Sequence, residues 1–247
     1  MILSNFAVVF AGGAGQRMQN ASTPKQFLKL YGKPIIIYTL EKFQTHEKID
    51  GIIVPCIDGW QDHLKDLATR FGITKLIKIV TGGRTSQESK LIALKAMKDI
   101  CAPDDIVLMH DAVRPLITHD LISTNIECVK MHGNAITVDP FTETGVVSSD
   151  GHTVERTIER HLLYIAKAPQ SFYYKDALEA HEKGQYMPDN TTIDTCTIMT
   201  VLGKTVHFVK CDGQNIKITR PNDYYIFKAL YDYQNKGGEE NNDSSSY

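Results

Sequence analysis

Seven short runs rich in β-branched and apolar residues, at 6–10, 51–54, 76–80, 105–109, 135–138, 206–209 and 215–218, recur along the chain with helical patterning between them. This alternation limits the fold more than any other feature. Several runs are almost uninterrupted in their apolar character, as in strands covered on both faces. Between them, Ile122, Ile126 and Val129 form one stripe at helical spacing, and Ile226, Leu230 and Tyr233 another. Strand and helix in alternation predict an α/β fold: a Rossmann-like, mostly parallel sheet with helices on both faces and right-handed crossovers. With 42% hydrophobic and 23% charged residues, the 247-residue chain has enough apolar matter for such a core and does not read as disordered.

One stretch breaks the rhythm. Residues 139–170 alternate in a strand-like way around Ser148-Ser149-Asp150-Gly151, and Asp-Gly between alternating segments is a hairpin signal. A β-arm over about 139–170 is expected to serve a homodimer contact; the plainer alternative is a solvated excursion. The segment from Lys236 is polar and rich in Gly and Ser, so 236–247 is expected to be a disordered tail on a single domain spanning 1–235.

Charge and cysteine usage narrow the function classes. Lys plus Arg number 27 against 29 for Asp plus Glu, giving a formal net charge of −2. Such a balance supplies no global field for nucleic acid or an anionic membrane. No apolar run approaches the roughly 20 residues of a membrane span, and the first residues carry no basic, cleavable leader pattern. Cys56, Cys101, Cys128, Cys196 and Cys211 are odd in number and scattered. They read as free thiols in a reducing cytoplasm, not as a disulfide framework or zinc cluster.

The sharpest local signal follows the first run: Phe10-Ala11-Gly12-Gly13-Ala14-Gly15-Gln16-Arg17-Met18, then Thr23-Pro24-Lys25-Gln26-Phe27. Glycines directly after a strand let backbone N–H groups approach an anion without Cβ interference, and Arg17 and Lys25 add charge to the same loop. A dinucleotide fingerprint wants a small residue where Met18 stands, and a Walker loop wants Gly-Lys-Ser/Thr. Neither pattern fits, and the second run ends without the acidic residue a nicotinamide dehydrogenase would need. A bare glycine turn with no ligand remains the alternative from this segment alone.

Further segments follow in order: Thr81-Gly82-Gly83 with Ser89, His110-Asp111-Ala112-Val113-Arg114-Pro115, Ala168-Pro169-Gln170, and Asn215-Ile216-Lys217-Ile218-Thr219 with Pro221. Together these resemble the nucleotidyltransferases that activate sugars and polyols, and among them the cytidylyltransferases acting on methylerythritol phosphate or ribitol phosphate. The resemblance covers roughly residues 6 to 230. It implies attack by a polyol phosphate oxygen on the α-phosphate of CTP, with release of pyrophosphate.

The roles implied by the resemblance follow the motifs. Arg17 and Lys25 bind the triphosphate, Lys25 near the leaving bridging oxygen, and Lys217 takes the α-phosphate. Ala11, Gly12, Gly13, Ala14, Gly15, Gly83, Ser89, Asp111 and Ala112 line the CTP site, with cytosine read near Ala14, Gly15, Gly83 and the Ser89 hydroxyl. Asp111 helps hold Mg²⁺, which commonly takes one or two carboxylates beside phosphates and water. His110 and Arg114 brace the turn. Thr144, Arg160, Asp194 and Lys217 serve the acceptor, with Thr144 and Arg160 reaching the site from a dimer partner's arm.

On the acceptor side the chain departs from the pattern. Glu143 precedes Thr144 where aspartate is common, and Arg84-Thr85-Ser86 does not give the usual Gly-Gly-x-x-Arg. Ala168 replaces a threonine, and the Thr-Asp pair reads Ile193-Asp194 with Thr192 one place early. Together with Ala11-Gly12-Gly13 and Leu163-Tyr164, the altered pair favours ribitol 5-phosphate over methylerythritol phosphate, with another polyol or sugar-acid phosphate as a third option. A nucleotide-binding module without turnover is the reading from a different class. Arg17, Lys25, Asp111 and Lys217 occurring together argue against it.

Overall fold

A computed structural model describes residues 3–13, 23–187 and 194–236. In chain order the elements are β1 (Asn5–Phe10), β2 (Lys29–Leu30), β3 (Lys33–Pro34), α1 (Ile35–Gln44), β4 (Gly51–Cys56), α2 (Gln61–Arg70), β5 (Leu76–Thr81) and α3 (Ser86–Ala96). Then come β6 (Ile106–Asp111), α4 (His119–His132), β7 (Asn134–Pro140), β8 (Gly145–Val147), β9 (Arg156–Ile158), β10 (Tyr164–Tyr173), α5 (Tyr174–Gly184), α6 (Thr195–Val201), β11 (Phe208–Lys210) and α7 (Pro221–Lys236).

Seven strands form one sheet in the order β11-β7-β10-β6-β1-β4-β5. Every neighbouring pair is parallel except the two made by β10, which runs against both β6 and β7. The side-chain period of two then sorts the core into two layers. Ala7, Val9, Ile52, Val54, Ile106 and Leu108 face α1, α2 and α4. Phe6, Val8, Ile53, Val107 and Met109 face α3, α5 and α6. The α/β expectation of a mostly parallel sheet covered on both sides therefore holds.

Four details differ from the sequence reading. The run 215–218 is not a strand: it joins no ladder and bonds singly, Ile218 N–H to the Val113 carbonyl (2.9 Å) and the Asn215 side-chain amide to the Ala168 carbonyl of β10 (2.7 Å). The run 206–209 begins its ladder later, as β11, paired with Ile136–Val138 of β7. The region 139–170 is not all arm. Its second half is β10, a strand between β6 and β7 with a register shift between Ala166 and Gln170, where Pro169 has no N–H for the ladder. Only β8 and β9 form a separate two-stranded ribbon, turning at 148–155 with Gly151 at φ 73°.

The fourth difference concerns α7. Ile226 and Tyr233 are exposed, and the helix docks through Phe227, Tyr224, Leu230 and Tyr231 against Leu30, Tyr38, Val113, Leu116 and Ile218. Of the expected stripe Leu230 packs inward, while Ile226 and Tyr233 give way to Tyr224, Phe227 and Tyr231. For α4, by contrast, the stripe Ile122, Ile126 and Val129 is wholly buried.

Candidate active site

The site lies where β1 and β6 end side by side, Phe10 in register with Asp111. That is the carboxyl edge of the parallel strands, where open α/β sheets present loops to ligands. A cleft of about 180 Å³ opens there, lined by Lys90, Asp111, Lys167, Gln170, Asp194 and Lys217 among others.

Asp111 is its electrostatic centre. One carboxylate oxygen accepts from Lys217 Nζ (2.9 Å), the other from Arg114 Nε (2.8 Å). Burial would raise the Asp111 pKa, but the Lys217 and Arg114 charges outweigh it and hold the carboxyl well below the usual range. Arg114 is itself tied down by Nη1 donating to the Asn215 carbonyl at 2.9 Å. The loop carrying Lys217 is thus attached to the turn carrying Asp111.

His110 is fully buried, with Nε2 3.2 Å from the Arg114 carbonyl, so that nitrogen carries the proton. Burial pushes its pKa down to about 4, leaving the ring neutral. His110 and Arg114 brace this turn, as expected.

The glycine-rich turn approaches from β1. Ala11 is bridged to Cys56, and Gln26 donates to the Ala11 carbonyl (2.7 Å) from a buried position. Phe27 stacks on Trp60 with centroids 4.7 Å apart, anchoring the short 3₁₀ turn Lys25–Phe27 that carries half-buried Lys25. Gly12 meets the loop after β5: a Cβ there would lie 3.1 Å from Ser89 Oγ, and one on Gly82 would lie 3.2 Å from the Gly12 Cα. Side chains at either position would push the two loops apart.

Ser89 Oγ accepts from Gly83 N–H (3.0 Å) and donates to the Thr85 carbonyl (2.9 Å), so this hydroxyl braces the loop whose backbone borders the turn. Ala112 is buried, its N–H bonded to the Phe10 carbonyl (3.0 Å) and its own carbonyl accepting from Thr39 Oγ1 (2.8 Å). Ala14, Gly15 and Arg17 lie outside the described residues.

Of the acceptor residues, Asp194 and Lys217 share the cleft with Asp111. Asp194 also caps α6, accepting from Thr197 N–H at 2.8 Å. Thr144 and Arg160 are exposed near the ribbon and do not line the cleft; Arg160 Nη1 donates to the Thr142 carbonyl at 3.1 Å.

Three cleft residues had no role in the sequence reading, although Gln170 stood in one of its motifs. Lys167 pairs with Asp139 across β10 and β7 at 2.6 Å, with both side chains mostly buried. Gln170 accepts from Cys196 N–H (3.0 Å), fixing α6 to the sheet. Lys90 is only 8% exposed. Burial draws its pKa down, while Asp111 and Asp194 pull it back up. Its signal was available: Lys90, Ala93, Leu94 and Met97 are spaced i, i+3, i+4 and i+7, which puts a lysine at a core position of α3.

A cation-rich cleft beside a glycine turn at the carboxyl edge of a parallel sheet defines an α/β protein built to hold phosphorylated ligands. The family model described as 2-C-methyl-D-erythritol 4-phosphate cytidylyltransferase (IspD) matches residues 5–232. A ribitol-5-phosphate cytidylyltransferase of Vibrio parahaemolyticus serotype O3:K6 is 46% identical over 230 residues, covering 93% of this chain and 97% of the relative. One from Streptococcus agalactiae serotype V is 41% identical, covering 93% and 96%. In fold, the 4-diphosphocytidyl-2C-methyl-D-erythritol synthase crystal structure from Anaerococcus prevotii matches with a TM-score of 0.79 at 24% identity, covering 93% of this chain and 98% of that one. The chain belongs to the 2-C-methyl-D-erythritol 4-phosphate cytidylyltransferase (IspD) family.

Proposed function

We propose that this cytidylyltransferase acts on D-ribitol 5-phosphate, converting it with CTP to CDP-ribitol and pyrophosphate. The observation that carries the chemistry is the Asp111 cluster, which sets half-exposed Lys217 at the cleft mouth through a 2.9 Å ion pair. A phosphate arriving there offers Lys217 a better partner, while Arg114 keeps Asp111 in place. The acceptor follows from the two relatives of that name, similar over nearly their whole lengths.

An oxygen of the acceptor's phosphate attacks the α-phosphorus in line. A new P–O bond forms, the bond to the bridging oxygen breaks, and its electron pair leaves with pyrophosphate. The attacking phosphate is already ionised near neutrality, its second pKa being about 6, so no general base is required. Neutral, buried His110 is compatible with that. What the site must supply is charge and position: Lys217 at the α-phosphate, Lys25 at the leaving bridge, Arg17 along the triphosphate, and Asp194 and Lys217 toward the acceptor.

Asp111 suits Mg²⁺: its carboxylate is anionic, partly open to the cleft and the type of hard oxygen donor this ion takes alongside phosphates and water. Asp111 would hold the ion, which when bound neutralises triphosphate charge. Thr144 and Arg160 would complete the acceptor site across a homodimer. In support, the ribbon region leaves Val146, Val154 and Leu162 exposed without a core of its own. No described helix is long and apolar enough to cross a membrane. With the five cysteines free, we place the enzyme in the cytoplasm.

The family model's own name favours methylerythritol 4-phosphate as the second reading. Pyrophosphate release with CTP and Mg²⁺, run side by side with the two acceptors, decides. Turnover with ribitol 5-phosphate alone is expected; turnover with methylerythritol 4-phosphate alone would reverse the assignment.

A further inference from the structure

Lys217, the cation assigned to the α-phosphate, stands on neither a strand nor a helix. The chain around it runs between β11, which ends at Lys210, and α7, which starts at Pro221. A lysine ammonium sits on a long, flexible stem, so it is only as well placed as the backbone that carries it. Stabilising a transition state requires charges held where charge develops. Something must fix this backbone.

Two main-chain groups of the segment do part of it. Ile218 N–H donates to the Val113 carbonyl at 2.9 Å, and the Asn215 carbonyl accepts from Arg114 Nη1 at 2.9 Å. Both contacts run to the turn that follows Asp111. On the segment's side neither depends on residue type, since almost any residue offers the same N–H or carbonyl.

A third anchor is a side chain. Asn215 is 1% exposed, and its Nδ2 donates to the Ala168 carbonyl at 2.7 Å. Ala168 lies in β10 where the pairing with β7 shifts between Ala166 and Gln170, and pairing with β6 begins only at Gln170. It belongs to no register pair of either ladder, so its carbonyl is met by a side chain instead. The orientation of the amide follows, because turned over it would set Oδ1 against another acceptor. As oriented, Oδ1 is buried without a hydrogen-bond partner among the described residues. An apolar side chain of similar volume would remove that cost. It could not tie β10 to the segment two residues before Lys217.

Asn215 does not itself line the cleft, whereas β10 does, through Lys167 and Gln170. We infer that Asn215 is a positioning residue: by fastening its segment to β10 it holds the Lys217 ammonium at the reacting phosphorus. The inference rests on the assignment of Lys217 to the α-phosphate.

The test is a double-mutant cycle in the full-length enzyme, with Asn215→Ala, Lys217→Ala and the two combined. Pyrophosphate release is followed with CTP, Mg²⁺ and whichever of the two acceptors the wild type turns over, so the identity of the acceptor does not enter. Melting curves set an assay temperature at which every variant is folded. Asn215→Ala should lower kcat about 10–100-fold, the scale of a reacting group misplaced by about an ångström, and less than Lys217→Ala does. With Lys217 already truncated, the second substitution should cost no more than about threefold, because residues that act as a unit are not additive. Asn215→Ser keeps a hydroxyl and leaves a smaller gap. It should fall between wild type and Asn215→Ala, and it carries the cycle if the alanine variant does not fold.

A loss of the same size in both backgrounds would mean that Asn215 serves the fold and not Lys217, and it overturns the inference. Wild-type kcat in Asn215→Ala overturns it as well. Full activity in Lys217→Ala alone removes the assignment beneath the inference, and both fall.

Discussion

The cleft at the end of β6 and the β8–β9 ribbon are built on opposite terms. In the cleft, charges sit in low dielectric and their pairing is strict: Asp111 with Lys217 and Arg114, Lys167 with Asp139. Removing Lys167 or Asp139 would leave a mostly buried partner stranded, so geometry and stability are coupled at that pair. On the ribbon the polar groups serve only their own turn. Asp150 accepts from His152 and Thr153 N–H at 2.8 Å each and from the Thr153 hydroxyl at 2.7 Å, all in solvent. A two-stranded hairpin with exposed Val146 and Leu162 has little to hold it alone. The enclosed region can therefore hold charges in fixed geometry, whereas the ribbon is held by little beyond its own turn.

The largest effect expected is at Lys217. Lys217→Ala should lower kcat by about 10²–10³-fold, the range for losing one preorganised charge donor. Stability should change little, because the side chain is 43% exposed and Arg114 still holds Asp111. Pyrophosphate release together with thermal melting tests both halves of the statement. Full activity would remove Lys217 from the chemistry, and a large loss of melting temperature would show that this end of the cleft is structural first.

Next is a pH effect from a buried histidine of α5. His181 is fully buried between Gln87 (2.7 Å) and Thr195 (3.1 Å), and burial together with nearby Lys90 pushes its pKa down to about 3. In the unfolded chain the ring titrates near 6.5. Between those values the unfolded state binds the extra proton, so stability is complete above about pH 6.5 and falls on acidification toward 3, by up to roughly 1.4 kcal/mol per pH unit. Denaturant melts at pH 7 and pH 5 should show the loss, and His181→Gln should reduce it. An unchanged slope in that variant would place the acid sensitivity elsewhere.

The smallest effect on stability, and the sharpest test of the contrast, is at Arg160. Arg160→Ala should leave melting within about 0.5 kcal/mol, as for an exposed side chain, while raising KM for the acceptor. At an acceptor concentration too low for Arg160→Ala to turn over, mixing it with an Arg17→Ala protein should restore part of the activity through mixed dimers. No recovery after proven subunit exchange would mean that the ribbon serves its own protomer or none.

Much of the fold was legible because period is written locally. The apolar runs that became β1, β4, β5, β6 and β7 alternate or run unbroken, and α4 shows a clean stripe. Two misplacements have separate causes. Residues 164–170 read as the end of the arm, but they open β10, a strand whose start is exposed at Tyr164 and Ile165 and whose end is wholly buried at Phe172. A strand that leaves the core midway has no single pattern. Residues 215–218 read as a strand by composition, but nothing lay alongside to complete a ladder.

For the site, the sequence by itself determined the kinds of group and their order: a glycine turn, Lys25, Asp111, Lys217. Those follow from motifs only a few residues long. Tertiary structure alone decided that Lys217 and Asp111, 106 positions apart, meet at 2.9 Å, and that Arg114 locks the loop between them. It also decided that Lys90 turns from a core stripe into the cleft, since the cost of a buried charge depends on which carboxylates surround it, and those arrive from β6 and α6.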